Sequence, residues 1–539
     1  MKAAPLKIEP APFTLVDQKE LHMKKTLLIL LPFLFFGCAK STEKSVDSFE
    51  KFAAGVKIEP TENCNRACTK LKEEFRYVVY VGEQVYCYWD EKQKEYGLDF
   101  KQQAADFENQ INNSTTDTQY FYLLVKWAAL FHDGHVNAML KEDTSKLDLF
   151  NLNIRFEVLA PGTDHEQLIV AKAGSVMKVG TVITKIQGKD WKEYLSQADK
   201  FSSGSTLGMR RSDAGRAIIR VLLETEGAKA IKLEGRFKDA DVTEVMARTM
   251  ALYDGAKEPE GPEETGLELI QSSLLANNIG YLRIDGFEGT KMTELLEQAM
   301  DRMMGTSGLI IDVRRNGGGD LSGNAVLSRL ISEPVARFHQ RTNFSDMLRA
   351  FRPDIFLDYD YSDGRFSEMK SRMVKPVEDS HKQYKMPVMV LTSPNCFSAC
   401  DTFVSALKEN KLALVVGEPT GGGTGNPIGF SLPLSEHRFR YSVAQGYTAV
   451  GKTLLEGKGT LPDVVLEPTL EERTSGQDLQ LEKTLKMMAE KIAQAQPGNS
   501  EPAPVPELAA ELKAVPLLKA DLPIDIEIDR EVRHKGETE

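Results

Sequence analysis

The chain has 539 residues, too many for a single hydrophobic core, so two to four domains are expected. Its 41% hydrophobic and 27% charged content is that of ordinary globular domains. The net charge of −12 argues against a nucleic-acid partner, because phosphate binding needs a basic face.

Residues 1–22 precede a better start at Met23 and read as an over-extended gene start. Residues 23–38, "MKKTLLILLPFLFFGC", place two lysines before a short apolar run that ends at Gly37–Cys38. This is secretory-signal layout, too short to span a bilayer. The junction resembles a bacterial lipoprotein cleavage site, with Cys38 the lipidated residue. Bulky Phe35 and Phe36 depart from that pattern. The expected setting is therefore export to a bacterial cell envelope, with a membrane partner through an N-terminal lipid anchor. Residues 39–61 are polar and read as a tether.

Residues 62–148 carry a helical pattern. In "TQYFYLLVKWAALFHDGHV", Tyr120, Leu123, Leu124, Trp127 and Leu130 share one helical face, and the helix is predicted to end near His132–Gly134. Cys64 and Cys68 are expected on a helix, with Cys87 able to pair with either. Residues 149–253 switch to strand-like runs; "VGTVITKIQGKDW" reads as strand, turn at Gly188, strand. Residues 254–274 form a Pro/Gly-rich linker. Residues 275–475 alternate strands and helices. Within them "GLIIDV" and "MPVMVLTS" are continuous apolar runs, as expected of strands buried on both faces. Residues 476–539 give a helix at 478–495 and a Pro-rich tail. No His/Cys cluster suggests a metal site, and no cofactor motif is present.

Two stretches point to chemistry. In "DVRRNGGGD" a buried strand runs into Gly317, Gly318 and Gly319, whose amides could hold an anion or a developing oxyanion. In "SPNCFSACDTF" a strand leads through a loop to a helix beginning near Ser398. Ser398 suits a nucleophile, with the Ala399 amide as oxyanion donor, but it equally suits an ordinary helix N-cap. Cys396 and Cys400 flank it as further nucleophiles, as packing, or as a pair. A serine needs a base. His132 and His135 lie in the loop "HDGHV", whereas His165, His339, His381, His437 and His534 read as surface residues.

"GYLRIDGF", "GLIIDVRRNGGGD", "PVMVLTSPNCFSACDTF", "VVGEPTGGGTG" and "LEGKGTLPDVV", in this order over about 275–470, resemble the catalytic domain of the tail-specific, or C-terminal processing, serine peptidases. The resemblance implies a multidomain α/β protein. It would have a helical N-terminal domain, a PDZ-like β-rich domain at 149–253 and a crotonase-like ββα-spiral catalytic domain. It also implies a protein or peptide substrate. Ser398 of "SACD" matches the nucleophile of the family's "S-A-x-E/D" motif, and Asp401 takes the acidic place. Gly423 stands where one branch has its lysine base. The tricorn-protease-like branch instead uses an upstream histidine and a later glutamate, which match His135 and Glu456. Ala399 and Gly317 or Gly318 would form the oxyanion hole. Gly134 replaces a second serine of that branch, so Thr420 and Thr424 are candidates to link Glu456 to His135. The alternatives are an α/β-hydrolase esterase, which lacks its G-x-S-x-G elbow here, a catalytically silent peptide-binding scaffold, and a thiol mechanism at Cys396 or Cys400. Oligomeric state is not legible.

Overall fold

The computed structural model describes residues 49–144, 150–250, 267–357 and 365–495, apart from residues 51, 54, 56, 57, 175 and 226. The signal-like segment with Cys38, most of the linker and the Pro-rich tail lie outside the described residues. Among the described residues no helix is long and apolar enough to cross a membrane.

The centre is a six-stranded sheet in the order 270–275, 279–284, 308–312, 388–392, 414–417, 464–465. The first pair is antiparallel and the other pairings are parallel. Gly308–Asp312 and Val388–Thr392 are buried at every position, as their unbroken apolar runs require. The helices Met292–Met303 and Ala399–Glu409 share a core with one face. The helix Leu479–Ala495 covers the other with Leu481, Leu485 and Met488. Both buried strands deliver their C-terminal ends to one edge, where parallel sheets place their sites.

The N-terminal helices Arg66–Val85, Trp89–Tyr96, Phe100–Glu108 and Asp117–Ala129 do not build a core alone. Phe75, Val78, Trp127 and Phe131 pack with Phe430, Phe439 and Tyr441, which lie more than 290 residues later. Trp127 Nε1 donates to Tyr441 Oη at 3.0 Å, and Gly82 leaves room for that tyrosine ring. The helix Asp117–Ala129 opens on a Thr116–Gln119 capping box and buries Tyr120, Leu123, Leu124 and Trp127. It stops at Ala129, ahead of the predicted His132–Gly134: the amides of Leu130, Phe131 and His132 bond three residues back instead of four, and His132 then turns to φ 44°. The next strand, Asn137–Met139, then pairs antiparallel with Arg438–Ser442. This pairing carries the upstream loop into the C-terminal half.

Within residues 150–250, the strands between Arg155 and Ala247 form a separate antiparallel sheet with the helices Trp191–Ala198 and Leu207–Arg220 packed on it, and Phe150–Asn151 pairs with Thr249–Met250 apart from that sheet. The predicted hairpin is present: Val182–Ile186 and Lys189–Asp190 pair across Gln187–Gly188, both at positive φ. Cys64 lies ahead of the helix rather than on it. Asn65 caps that helix from its side chain, and Cys64 bonds to Cys68. Cys87 is a free, buried thiol. Two of the histidines expected at the surface are buried. His339 is held between Ala449 O and Ser371, and His437 pairs with Asp117 at 3.1 Å.

Candidate active site

The strand Val388–Thr392 ends in a tight loop, and the helix Ala399–Glu409 starts one residue after Ser398. Ser398 has φ 60° and ψ −116°, which a non-glycine residue holds only when its surroundings impose it. Its side chain makes no capping hydrogen bond to the helix, so the N-cap role that the local sequence allowed is not the one adopted. The hydroxyl instead meets His135: Nε2 lies 3.0 Å from Ser398 Oγ, across 263 residues of chain.

Three features fix the serine turn. Cys396 and Cys400 are joined by a disulfide that brackets Ser398, so neither is a thiol in this form. The Phe397 amide donates to Asn316 O at 3.1 Å, tying the loop to the glycine turn. Gly318, at φ 111°, lies so close that a Cβ there would sit 2.7 Å from Ser398 Cβ, which only glycine permits. The Gly318 amide donates to Asn316 Oδ1 at 2.9 Å. Of the two glycines named from sequence, Gly317 is thus the one whose amide is not turned to Asn316.

His135 is buried, with its ring centroid 4.5 Å from that of Phe397. Burial, with the Arg440 charge, holds its pKa well below 6.5. The Gly425 amide donates to Nδ1 at 3.3 Å, so in this arrangement the ring proton sits on Nε2. The carboxylate that approaches the ring is Asp133, whose Oδ1 lies 3.9 Å from Nδ1. Asp133 Oδ1 also accepts the His135 amide at 2.8 Å, and Oδ2 accepts Ser442 Oγ at 2.7 Å.

Glu456 is not bonded to His135. Its Oε1 accepts from Lys92 Nζ at 3.2 Å, and both side chains are almost wholly buried. Burial and the Asp133 charge raise the Glu456 pKa, against the pull of Lys92 and Ser205. Asp401 ties a second loop to the serine turn: its two oxygens accept the Gly422 and Gly423 amides at 2.9 and 3.1 Å, and the Ser398 amide also hydrogen-bonds the carboxyl. Burial lifts its pKa to about 7. Thr420 hydrogen-bonds Asp401 and accepts the Thr460 amide at 2.7 Å, while Thr424 packs on Gly446. Neither links Glu456 to His135. A side chain at Gly423 would strike the Phe397 ring at 2.1 Å, so a lysine has no room there. Among the described residues there is no cluster of ligands for a metal ion.

Sequence reasoning missed Lys92, Ser205 and Gly425, and it quoted Asp133 without a role. Only Asp133 had a local signal, as a carboxylate two residues from the histidine.

A serine on a strained strand-to-helix corner is faced by a buried imidazole, an arrangement that suits a serine hydrolase. Residues 278–466 match the family model described as Peptidase family S41, so the chain carries a serine peptidase domain. Mature CPAF complexed with lactacystin shares the fold, with a TM-score of 0.61 at 16% identity over 79% of this chain and 99% of that chain. A second structure of mature CPAF gives 0.61 at 17% identity, over 80% and 98%. A putative peptidase from Parabacteroides merdae gives 0.47 at 17% identity, over 80% and 99%.

Proposed function

We propose that the protein is an exported endopeptidase that cleaves protein or peptide substrates through an acyl-enzyme on Ser398, in the manner of the tricorn-like branch. The observation that carries this reading is the 3.0 Å contact between His135 Nε2 and a strained Ser398 that caps no helix amide. His135 takes the hydroxyl proton as Oγ bonds to the scissile carbonyl carbon. It then gives that proton to the leaving amine as the C–N bond breaks. Water reverses the sequence and frees Ser398. To act as base the ring must carry its proton on Nδ1, which requires the Gly425 amide to turn away from that atom; Asp133 Oδ1, 3.9 Å from Nδ1 in this structure, takes that proton's hydrogen bond on closer approach. The Ala399 and Gly317 amides hold the oxyanion; losing one such donor costs about 10²–10³ in rate.

The remaining domain assignments belong to the same proposal. The unit at 149–253 is PDZ-like and offers a sheet edge to an extended peptide. The catalytic domain at 275–475 is a crotonase-like spiral. Two disulfides fit an oxidising, exported setting, consistent with lipidation at Cys38 and a bacterial cell-envelope location.

A fluorophosphonate probe should label the folded wild-type chain and fail to label Ser398→Ala. No label on folded wild type, or equal label on Ser398→Ala, rejects the mechanism and favours a silent scaffold.

A further inference from the structure

We infer that Lys92 and Ser205 are positioning residues of this site, through which the Glu456 carboxyl fixes the backbone of the His132–His135 turn instead of touching the imidazole. The inference rests on the reading of Ser398 and His135 as nucleophile and base.

The turn that presents His135 is improbable by itself. His132 has φ 44°, a conformation a non-glycine residue keeps only when held. The holding groups come from three separate stretches of chain. Lys92, on the helix Trp89–Tyr96, donates from Nζ to His132 O at 2.8 Å and to Glu456 Oε1 at 3.2 Å. Ser205 Oγ accepts the Gly134 amide at 3.0 Å, and the same hydroxyl faces the Glu456 carboxyl. One carboxyl therefore anchors two side chains, and each grips one backbone group of the turn, a carbonyl at 132 and an amide at 134.

The exposure of the pair argues that this is a built feature. The Lys92 side chain is 2% exposed and that of Glu456 1%, and a lysine is almost never buried so fully without a partner. The groups facing Lys92 are Glu456, Asp133, Tyr96 and Glu95, three of them carboxyls. The turn is also crowded on the side of Phe397 and Met209. A Cβ at Gly134 would lie 2.7 Å from Phe397 Cζ and 2.8 Å from Met209 Cε. Gly134 thus leaves no place beside the histidine for the serine that the tricorn-like pattern has there. Ser205, from the 150–250 unit, puts a hydroxyl on the amide of that same residue. Docking of that unit is thereby joined to the geometry of the base.

The test uses the full chain and a fluorophosphonate probe, with the maximal inactivation rate constant and the half-saturating probe concentration measured separately. In Lys92→Met the maximal rate constant should fall about 100-fold, as for a base displaced by about 1 Å, with half-saturation unchanged. Lys92→Arg should recover most of that loss, and Ser205→Ala should lose about tenfold. If Lys92→Met does not fold, Lys92→Met/Glu456→Gln removes both buried charges and should show the same loss. A folded Lys92→Met, or the folded double variant, that reacts at the wild-type rate overturns the inference, as does Ser205→Ala at the wild-type rate for the serine half. Wild type that is not labelled overturns the nucleophile reading, and this inference with it.

Discussion

At the scale of the residue, the imidazole of His135 is kept neutral by its surroundings. Burial and the Arg440 charge both disfavour the protonated ring, so its pKa lies well below 6.5. A base that charges only in more acidic solution remains available across the neutral range. The rate of Ser398 labelling should therefore hold constant from pH 8 down to 6.5, and its acidic limb should have a midpoint below 6.5. A midpoint at 6.5 or above would mean that the ring is solvated, and the buried dyad would be wrong. The glycines around the serine follow the same logic of local room. Gly318 lies against Ser398, and Gly423 lies against Phe397, so each is glycine because a Cβ there would overlap a neighbour.

At the scale of the element, the strand–loop–helix unit 388–409 imposes the serine geometry, and the Cys396–Cys400 disulfide closes the short loop across it. A bridge over so few residues contributes about 2 kcal/mol by restricting the unfolded chain. Cys396→Ala/Cys400→Ala should lose about that much stability in thermal or denaturant unfolding. Digestion without reductant should yield a peptide in which the two cysteines remain linked; two free thiols in that map would reject the bridge. The strand Asn137–Met139 is the other decisive element. Its three residues pair with Arg438–Ser442 and set the depth at which His135 enters the site.

At the scale of the whole molecule, the 150–250 unit is tied to the C-terminal segment by a bidentate Arg473–Glu157 pair. Beside it Glu418 is crowded by Glu467, Glu157 and Glu472, and burial is the largest cause that lifts its pKa to about 7 from 4.5. A carboxyl whose folded pKa is raised holds its proton more tightly in the native state. Its stabilising contribution is complete below pH 4.5 and is lost as pH rises through about 7. Glu418→Gln should match wild type near pH 4 and be more stable by about 2 kcal/mol at pH 8, a figure kept below the full linkage because the residue is partly exposed. Thermal unfolding of both proteins across that range checks it; a difference that does not grow with pH would remove the shift.

The sequence by itself determined several of the strands and helices and named the candidate site residues. Continuous apolar runs identify Gly308–Asp312 and Val388–Thr392, and helical spacing identifies the buried face of Asp117–Ala129, because these signals are local and repeat with the backbone period. Ordered motifs singled out Ser398, His135 and Glu456. Only the tertiary structure decided how these meet. Whether Ser398 caps a helix or faces a base depends on a φ angle held jointly by the Cys396–Cys400 bridge and by the distant glycine turn packed against it. Glu456 reaches the histidine turn through Lys92 and Ser205, both remote from it in sequence, because a buried carboxyl takes whatever donors packing brings within reach. The shared aromatic core of the N-terminal helices and residues 428–443 was invisible for the same reason: periodicity shows that a face is apolar, and packing alone shows what covers it.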